Sequence, residues 1–217
     1  MLDLVIYGAG GMGREILELV RASDPTREKW NFIGFIDDGI PVNTSLGDAA
    51  VLGGVSWLSR ACSSIGVIMG LADPIVKSEL YSVLSQNPKV EFPVVVHPWA
   101  YVESTASLSP GTVVSSFCFV AVDAFMGVCS FLNVASQVGH DSVVGDFCSI
   151  MPSVNISGNV TIGPRTLVGV GSKILQGLRI GSGATVGIGS VVLNDVPDGC
   201  TVMGYPARVV KKGREDS

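Results

Sequence analysis

Two histidines are the only imidazoles in the 217 residues, His97 and His140, and His140 is followed directly by Asp141. An imidazole titrates near neutrality and can both take and return a proton. A second signal is the turn Gly8-Ala9-Gly10-Gly11-Met12-Gly13. A GxGxxG run lets backbone approach a phosphate closely, provided that it follows a strand and opens a helix. A third is Asp37-Asp38, a carboxylate pair able to accept hydrogen bonds from a ribose or a base edge. Metal chemistry has little support. The five cysteines are an odd count with no CxxC spacing, and no carboxylate cluster joins the two histidines.

The elements around the glycine turn meet its condition. Leu4–Tyr7 reads as a short buried strand, and Arg14–Val20 as a helix with Ile16, Leu17 and Val20 on one face. A second strand over Phe32–Ile36 ends at Asp37-Asp38. A Gly/Pro loop follows, then a helix near Val55–Ala61, a strand Ile65–Met69 ending at Gly70, a helix Pro74–Leu84 and a short strand near Val94–Val96. This is a small parallel α/β unit, a Rossmann-like half suited to one nucleotide diphosphate rather than a dinucleotide.

Beyond it the pattern changes. Every sixth residue from Val102 to Val192 is Ile, Leu, Val or Met. A period of six fits neither a helix nor an ordinary strand, and marks a solenoid. Four residues after most of these positions stands a small residue, such as Ser136, Ser142 or Cys148. Pairs such as Pro110-Gly111, Gly158-Asn159 and Ser182-Gly183 supply turn chemistry between them. Three hexapeptides close a triangular coil of roughly eighteen residues, with about five coils stacked at strand spacing. Cys118 and Cys148 fall in small interior slots and read as core filler. His140 falls two residues after Val138, on an outward corner, and Gly158 lies directly above it one coil on. Gln176 continues that edge. His97 precedes the register and reads as structural. The expected domains are 1–95, α/β, and 96–217, β-solenoid with its tail.

The bulk properties exclude several classes. No apolar run approaches the ~20 residues of a membrane span, and Met1-Leu2-Asp3-Leu4 lacks the basic start of a signal peptide, so a cytoplasmic protein without a membrane span is expected. The net charge of −5 argues against a nucleic-acid binder. No Lys or Arg occurs between Lys89 and Arg165, after which come Arg165, Lys173, Arg179, Arg208, Lys211, Lys212 and Arg214. A polyanionic ligand would favour these later coils and the tail; a merely solubilising role for the charges is the alternative.

The segments GAGGMGRE, FIDD, LNVASQVGHDSVVGDF, SGNVTIG and MGYPARVV resemble those of the two-domain hexapeptide-repeat acyltransferases. They are most similar to the sugar-nucleotide acetyltransferases that modify amino sugars on nucleoside diphosphates, a group that includes sialic acid O-acetyltransferase-like proteins. The resemblance covers essentially the whole chain. It implies a left-handed parallel β-helix, a homotrimer, and acetyl-CoA as co-substrate with no metal. It further implies that His140 is the general base, that Asp141 polarises it, and that Asn133 orients the acceptor. Nucleotide-sugar contacts are implied at Gly8, Gly10, Gly11, Met12, Gly13, Asp37, Asp38 and Gly70, and donor contacts at Ser149, Gly158, Gln176, Gly187 and Ile188. Two departures stand out. Ser149 occupies a position where some relatives have a second histidine that helps hold CoA. Gly70-Leu71-Ala72-Asp73-Pro74 replaces a Gly-Asn or Gly-Asp loop, which leaves the base, uridine, guanosine or thymidine, open. The leading expectation is N-acetylation of a UDP-, GDP- or dTDP-linked amino sugar. The alternatives are O-acetylation of a sugar or sialic acid, a non-catalytic trimeric binding protein, and a nicotinamide oxidoreductase.

Overall fold

The computed structural model describes residues 1–212; Arg214 of the basic tail lies outside them. The first ninety residues form β1 (Leu2–Tyr7), α1 (Gly11–Ser23), β2 (Trp30–Ile36), β3 (Ser45–Leu46), β4 (Ala49–Gly53), α2 (Val55–Ser59), β5 (Ile65–Met69), α3 (Pro74–Leu84) and β6 (Val90–Glu91). The sheet order is β3-β4-β2-β1-β5-β6, parallel except for the β3–β4 hairpin. β1 is central, with Leu4, Val5 and Ile6 wholly buried. α3 starts where Asp73 caps it, accepting from the Ile75 and Val76 N–H groups, with Pro74 in its first turn. The hairpin occupies the segment read as a loop. Its turn is built on Gly47 at φ 67°, and its strands are too short to carry a visible period.

From Val95 onward the chain winds into a left-handed parallel β-helix with three faces. The first face carries Val95–Val96, Val113–Val114, Phe131–Leu132, Ser149–Ile150, Leu167–Val168 and Thr185–Val186, the second Tyr101–Val102 through Val191–Val192, and the third Ser107–Leu108 through Arg179–Ile180. Partners in adjacent coils are eighteen residues apart, as in Gln137 with Asn155. The second residue of each pair fills the axis: Val120, Leu132, Val138, Val144 and Ile150 are wholly buried. The small slots are equally dry. Ser142 Oγ, for example, donates to Ser157 O at 2.9 Å and accepts from Val160 N at 3.0 Å. Burial pushes the thiols of Cys118 and Cys148 up to about 11, which makes them packing groups rather than nucleophiles. The repeat closes with the antiparallel hairpin Thr201–Gly204 and Ala207–Lys211.

The corners share one conformation. Three residues after each axial position, from Gly111 to Gly189, φ is positive, and at every such corner from Phe117 to Arg165, Cys129, Asp141 and Phe147 among them, the residue is not glycine. Left-handed backbone costs roughly 1–2 kcal/mol for such residues. It persists because the corner N–H bonds the coil before, as Asp141 N does to Val122 O at 3.1 Å.

The α/β unit is clamped to the solenoid. Val95, Val113 and Phe131 of the first face share a core with Leu4, Ile16 and Leu17. The edge between the third and first faces, with Cys129 and Phe147, packs under α3, where Tyr81 lies 5.4 Å from Phe147. Inside this seam is Lys77, at 0% exposure, donating to Cys129 O at 3.1 Å and Cys148 O at 2.9 Å. Burial lowers its pKa from 10.5 to about 8. The unfolded chain therefore holds this proton between pH 8 and 10.5 while the folded chain releases it. Stability contributed by this group rises with pH across that window. Urea titrations of wild type and Lys77→Met should show wild type gaining up to about 3 kcal/mol relative to the variant from pH 8 to 10.5. A difference that does not change with pH contradicts the assignment.

Candidate functional site

The glycines of the turn divide by what surrounds them. A Cβ on Gly13 would stand 1.8 Å from Gly8 O, so this glycine lets α1 lie against the end of β1. Gly8, at φ 102°, and Gly70 are likewise fixed by packing, for their Cβ positions fall 2.7 Å from Gly70 O and 2.9 Å from Gly13 Cα. Gly10 and Gly11 meet nothing within 4 Å. Packing does not require glycine at either. Gly10 caps α1 without a side-chain hydrogen bond, and no acidic residue occupies the first turn. The exposed N–H groups and the helix dipole thus face open space suited to an anion. Met12 beside them packs against the α/β core.

The two carboxylates are engaged differently. Asp37 Oδ2 accepts from Ala9 N at 2.9 Å and Oδ1 from Gly39 N at 2.9 Å. This ties the end of β2 to the glycine turn and leaves lone pairs free. Asp38 accepts from Val55 N at 3.0 Å and from the Tyr7 hydroxyl. Burial, then Asp38, raises the Tyr7 pKa and holds the phenol protonated. Asp38 is thereby committed to joining β1, β2 and the start of α2, a role its position in FIDD does not signal. A cavity of about 600 Å³ lined by Arg21, Arg27, Trp30 and Asp48 lies at the other end of β1 and β2 and includes none of the expected residues.

His140 and Asp141 sit on the edge between the second and third faces. Nδ1 lies 2.7 Å from Asp141 Oδ2, and both side chains are mostly exposed. A proton shared at Nδ1 leaves Nε2 as the basic nitrogen. His140 O accepts from Asn159 N at 2.8 Å, which fixes the backbone under the ring. A Cβ on Gly158 would fall 2.5 Å from Nε2 and 2.6 Å from Cε1. The space that a side chain at Gly158 would take, directly above His140, is filled by the imidazole itself. Gly158→Ala must therefore displace the ring. We expect a loss of roughly 10²-fold in turnover with an unchanged melting temperature; wild-type turnover would contradict it. Gln176 continues the edge and is exposed.

The other expected residues lie elsewhere. Asn133, Gly187 and Ile188 belong to the edge between the first and second faces. Asn133 is 9% exposed, and its Oδ1 accepts from Val134 N at 2.7 Å. Gly187 makes room for Met203, while Ile188 is 72% exposed. Within one chain, Asn133 and His140 therefore occupy different edges. Ser149 is wholly buried on the first face, and its Oγ has no hydrogen-bond partner among the described residues. It pairs with Phe131, which packs into the core shared with the α/β unit, so its side chain is not at a surface that a donor reaches. His97 accepts from Trp99 N at 3.0 Å and stiffens the entry to the first coil. Among the described residues no group of three or more His, Cys, Asp or Glu converges on a metal position, and no helix is long and apolar enough to cross a membrane.

Sequence reasoning missed two groups at this level, Lys77 and Tyr7. Both are polar side chains buried by contacts between segments distant in sequence, and neither stands in a motif.

The PglD N-terminal domain family matches residues 3–84; no curated protein matches significantly. Solved structures match over nearly the whole chain. WeeI from Acinetobacter baumannii AYE is 31% identical with a TM-score of 0.87, over 97% of this chain and 100% of that one. The acetyltransferase domain of PglB from Neisseria gonorrhoeae FA1090 is 29% identical with a TM-score of 0.89, over 97% and 100%. PerB from Caulobacter crescentus, in complex with CoA and GDP-perosamine, is 27% identical with a TM-score of 0.85, over 97% of each chain. With its α/β unit, its hexapeptide solenoid and this likeness along the full length, the chain belongs to the two-domain hexapeptide-repeat sugar-nucleotide acetyltransferases.

Proposed function

We propose that the protein is a cytoplasmic N-acetyltransferase that moves the acetyl group of acetyl-CoA to the amine of a nucleotide-linked amino sugar. The observation that carries this reading is His140 with Nδ1 held by Asp141 and Nε2 free, on a solenoid edge. The PglB domain has been solved with acetyl coenzyme A and PerB with CoA and GDP-perosamine, which supports the same donor and acceptor class here. The nucleotide diphosphate meets the N–H groups at Gly10, Gly11 and Met12, with Asp37 available to a ribose or base. CoA runs along the solenoid edges past Gly158, Gln176 and Ile188 towards Lys173, Arg179, Arg208 and Lys211, all exposed, whose charge suits its phosphates.

The chemistry follows from the ring's geometry. The sugar amine attacks the thioester carbonyl, and the carbonyl π electrons move to oxygen. His140 Nε2 takes the proton that the nitrogen must lose, while Asp141 stabilises the imidazolium formed. The tetrahedral intermediate collapses, the C–S bond breaks, and the same proton passes to the thiolate. The products are the N-acetyl sugar nucleotide and CoA.

The active unit is a homotrimer. The candidate residues of one chain stand on the two edges that flank the second face. A ring of copies brings the His140 edge of one beside the Asn133 edge of the next. Exposed rings support an interface there: Tyr101 and Phe119 stack at 5.9 Å, and Trp99 and Phe117 lie 5.4 Å apart. Sedimentation should give a trimer, and a monomer at working concentration contradicts this part of the reading.

Thiol release from acetyl-CoA with a panel of UDP-, GDP- and dTDP-linked amino sugars tests the function. One nucleotide series should be turned over and should raise the melting temperature. Release with free hydroxyl sugars alone favours O-acetylation, and no release with any acceptor favours a binding protein.

A further inference from the structure

Lys77 takes no part in the proposed chemistry, yet it is a wholly buried cation in the seam between the two units. Apolar packing already exists around it. Tyr81 lies 4.7 Å from Phe92 and 5.4 Å from Phe147, with Leu84, Val128 and Cys129 in the same cluster. A methionine would fill such a seam without the desolvation cost of an amine. What the amine adds is direction. Apolar contacts tolerate sliding by a fraction of a coil, whereas hydrogen bonds to two carbonyls on successive coils do not.

The bonds connect the two halves of the site. Lys77 stands one turn into α3, after Asp73, whose carboxylate accepts from Ile75 and Val76 N–H. Asp73 ends the short loop from Gly70, and Gly70 sits against Gly13 of the glycine turn. On the solenoid side, the Cys129 carbonyl lies at the start of the hexapeptide that runs through Phe131–Leu132 to Asn133, and the Cys148 carbonyl one coil above. The Cys148 carbonyl also accepts from Phe131 N at 2.9 Å, so Lys77 bonds the ladder of the first face itself. No carboxylate lies within ion-pair distance of Nζ among the described residues. The amine is thus spent on backbone position rather than on charge pairing.

We propose that Lys77 is a positioning residue: through the Cys129 and Cys148 carbonyls it fixes the sugar-nucleotide unit at one height on the solenoid, so that the acceptor amine arrives level with the catalytic coils. This rests on the function proposed above. Lys77 touches no substrate. Its loss should therefore spare each binding step and impair the alignment that both share.

The test compares wild type with Lys77→Met, which keeps bulk and removes the donors, and Lys77→Arg, which keeps donors in a different geometry. In Lys77→Met, kcat for transfer to the nucleotide amino sugar should fall by roughly tenfold or more. The Kd of the nucleoside diphosphate and the KM of acetyl-CoA should stay within about twofold, since neither pocket loses a contact. Lys77→Arg should recover part of kcat, and if the methionine variant does not fold, it should itself show lowered kcat with unchanged nucleotide affinity. Wild-type kcat in Lys77→Met overturns the proposal, as does a parallel loss of nucleotide affinity, acetyl-CoA affinity and kcat, the mark of general loosening. If wild type acetylates no nucleotide amino sugar, the function fails and the positioning claim is read by amide exchange. The variant should then exchange faster over 70–77 and 127–133 and unchanged over β1; unchanged exchange at the seam overturns it.

Discussion

Replacing His140 by alanine should lower acetyl transfer by roughly 10²- to 10⁴-fold, the range for removing a positioned general base. The fold should be indifferent. The imidazole is mostly exposed and, among the described residues, its side-chain bond is to neighbouring Asp141, so the stability change should stay within about 0.5 kcal/mol. Steady-state thiol release beside a urea melt checks both halves. Asp141→Asn should give a smaller loss, because the ring remains while the group that fixes its tautomer is weakened. Substantial turnover by His140→Ala would assign the proton transfer to another group or to the substrate amine itself.

The second large effect concerns the glycine turn. Gly13→Ala puts a methyl group 1.8 Å from the Gly8 carbonyl oxygen, which backbone on both sides must move to accept. We expect a loss of at least about 3 kcal/mol in the α/β unit, read as a lowered urea midpoint. Gly11→Ala should do the opposite. Its methyl group meets open space and alanine favours the helix by up to about 1 kcal/mol, so stability should hold or rise. Nucleotide affinity should nevertheless fall by roughly tenfold if, as proposed, the N–H groups of this turn meet a phosphate, because the methyl group would occupy the open space beside them. If the two substitutions behave alike in both assays, this division between packing and ligand glycines is wrong.

How much of this was legible depended on whether a feature repeats or is local. The axial register from Val102 to Val192 announced the solenoid, since a solenoid must put the same side chain at the same height in every coil. It also set His140 on an outward corner above Val122 and below Gly158, because that follows from counting. The helix Pro74–Leu84 was expected with the bounds observed, since what starts and sustains a helix acts within a few residues. Left-handed backbone at Phe117 and Phe147 was not legible, for no propensity favours a bulky residue there; coil closure imposes it. Nor could the sequence say that Ser149 would be covered, that Asp38 would be spent on Tyr7 and Val55, or that Lys77 would lie inside a seam. The first and last depend on how the α/β unit lies against the first face, which involves segments fifty or more residues apart, as in Lys77 with Cys129. The second depends on how the end of β1, the end of β2 and the start of α2 meet within the α/β unit, 31 and 17 residues apart.

The most direct measurement is the nature of the bond formed. Wild-type protein is incubated with acetyl-CoA and the nucleotide amino sugar that it turns over, and the product is separated and treated with hydroxylamine. The account expects one acetyl group per sugar in an amide that resists the treatment, and almost none when His140→Ala replaces wild type. A hydroxylamine-labile ester, or acetylation that survives the loss of His140, would contradict it.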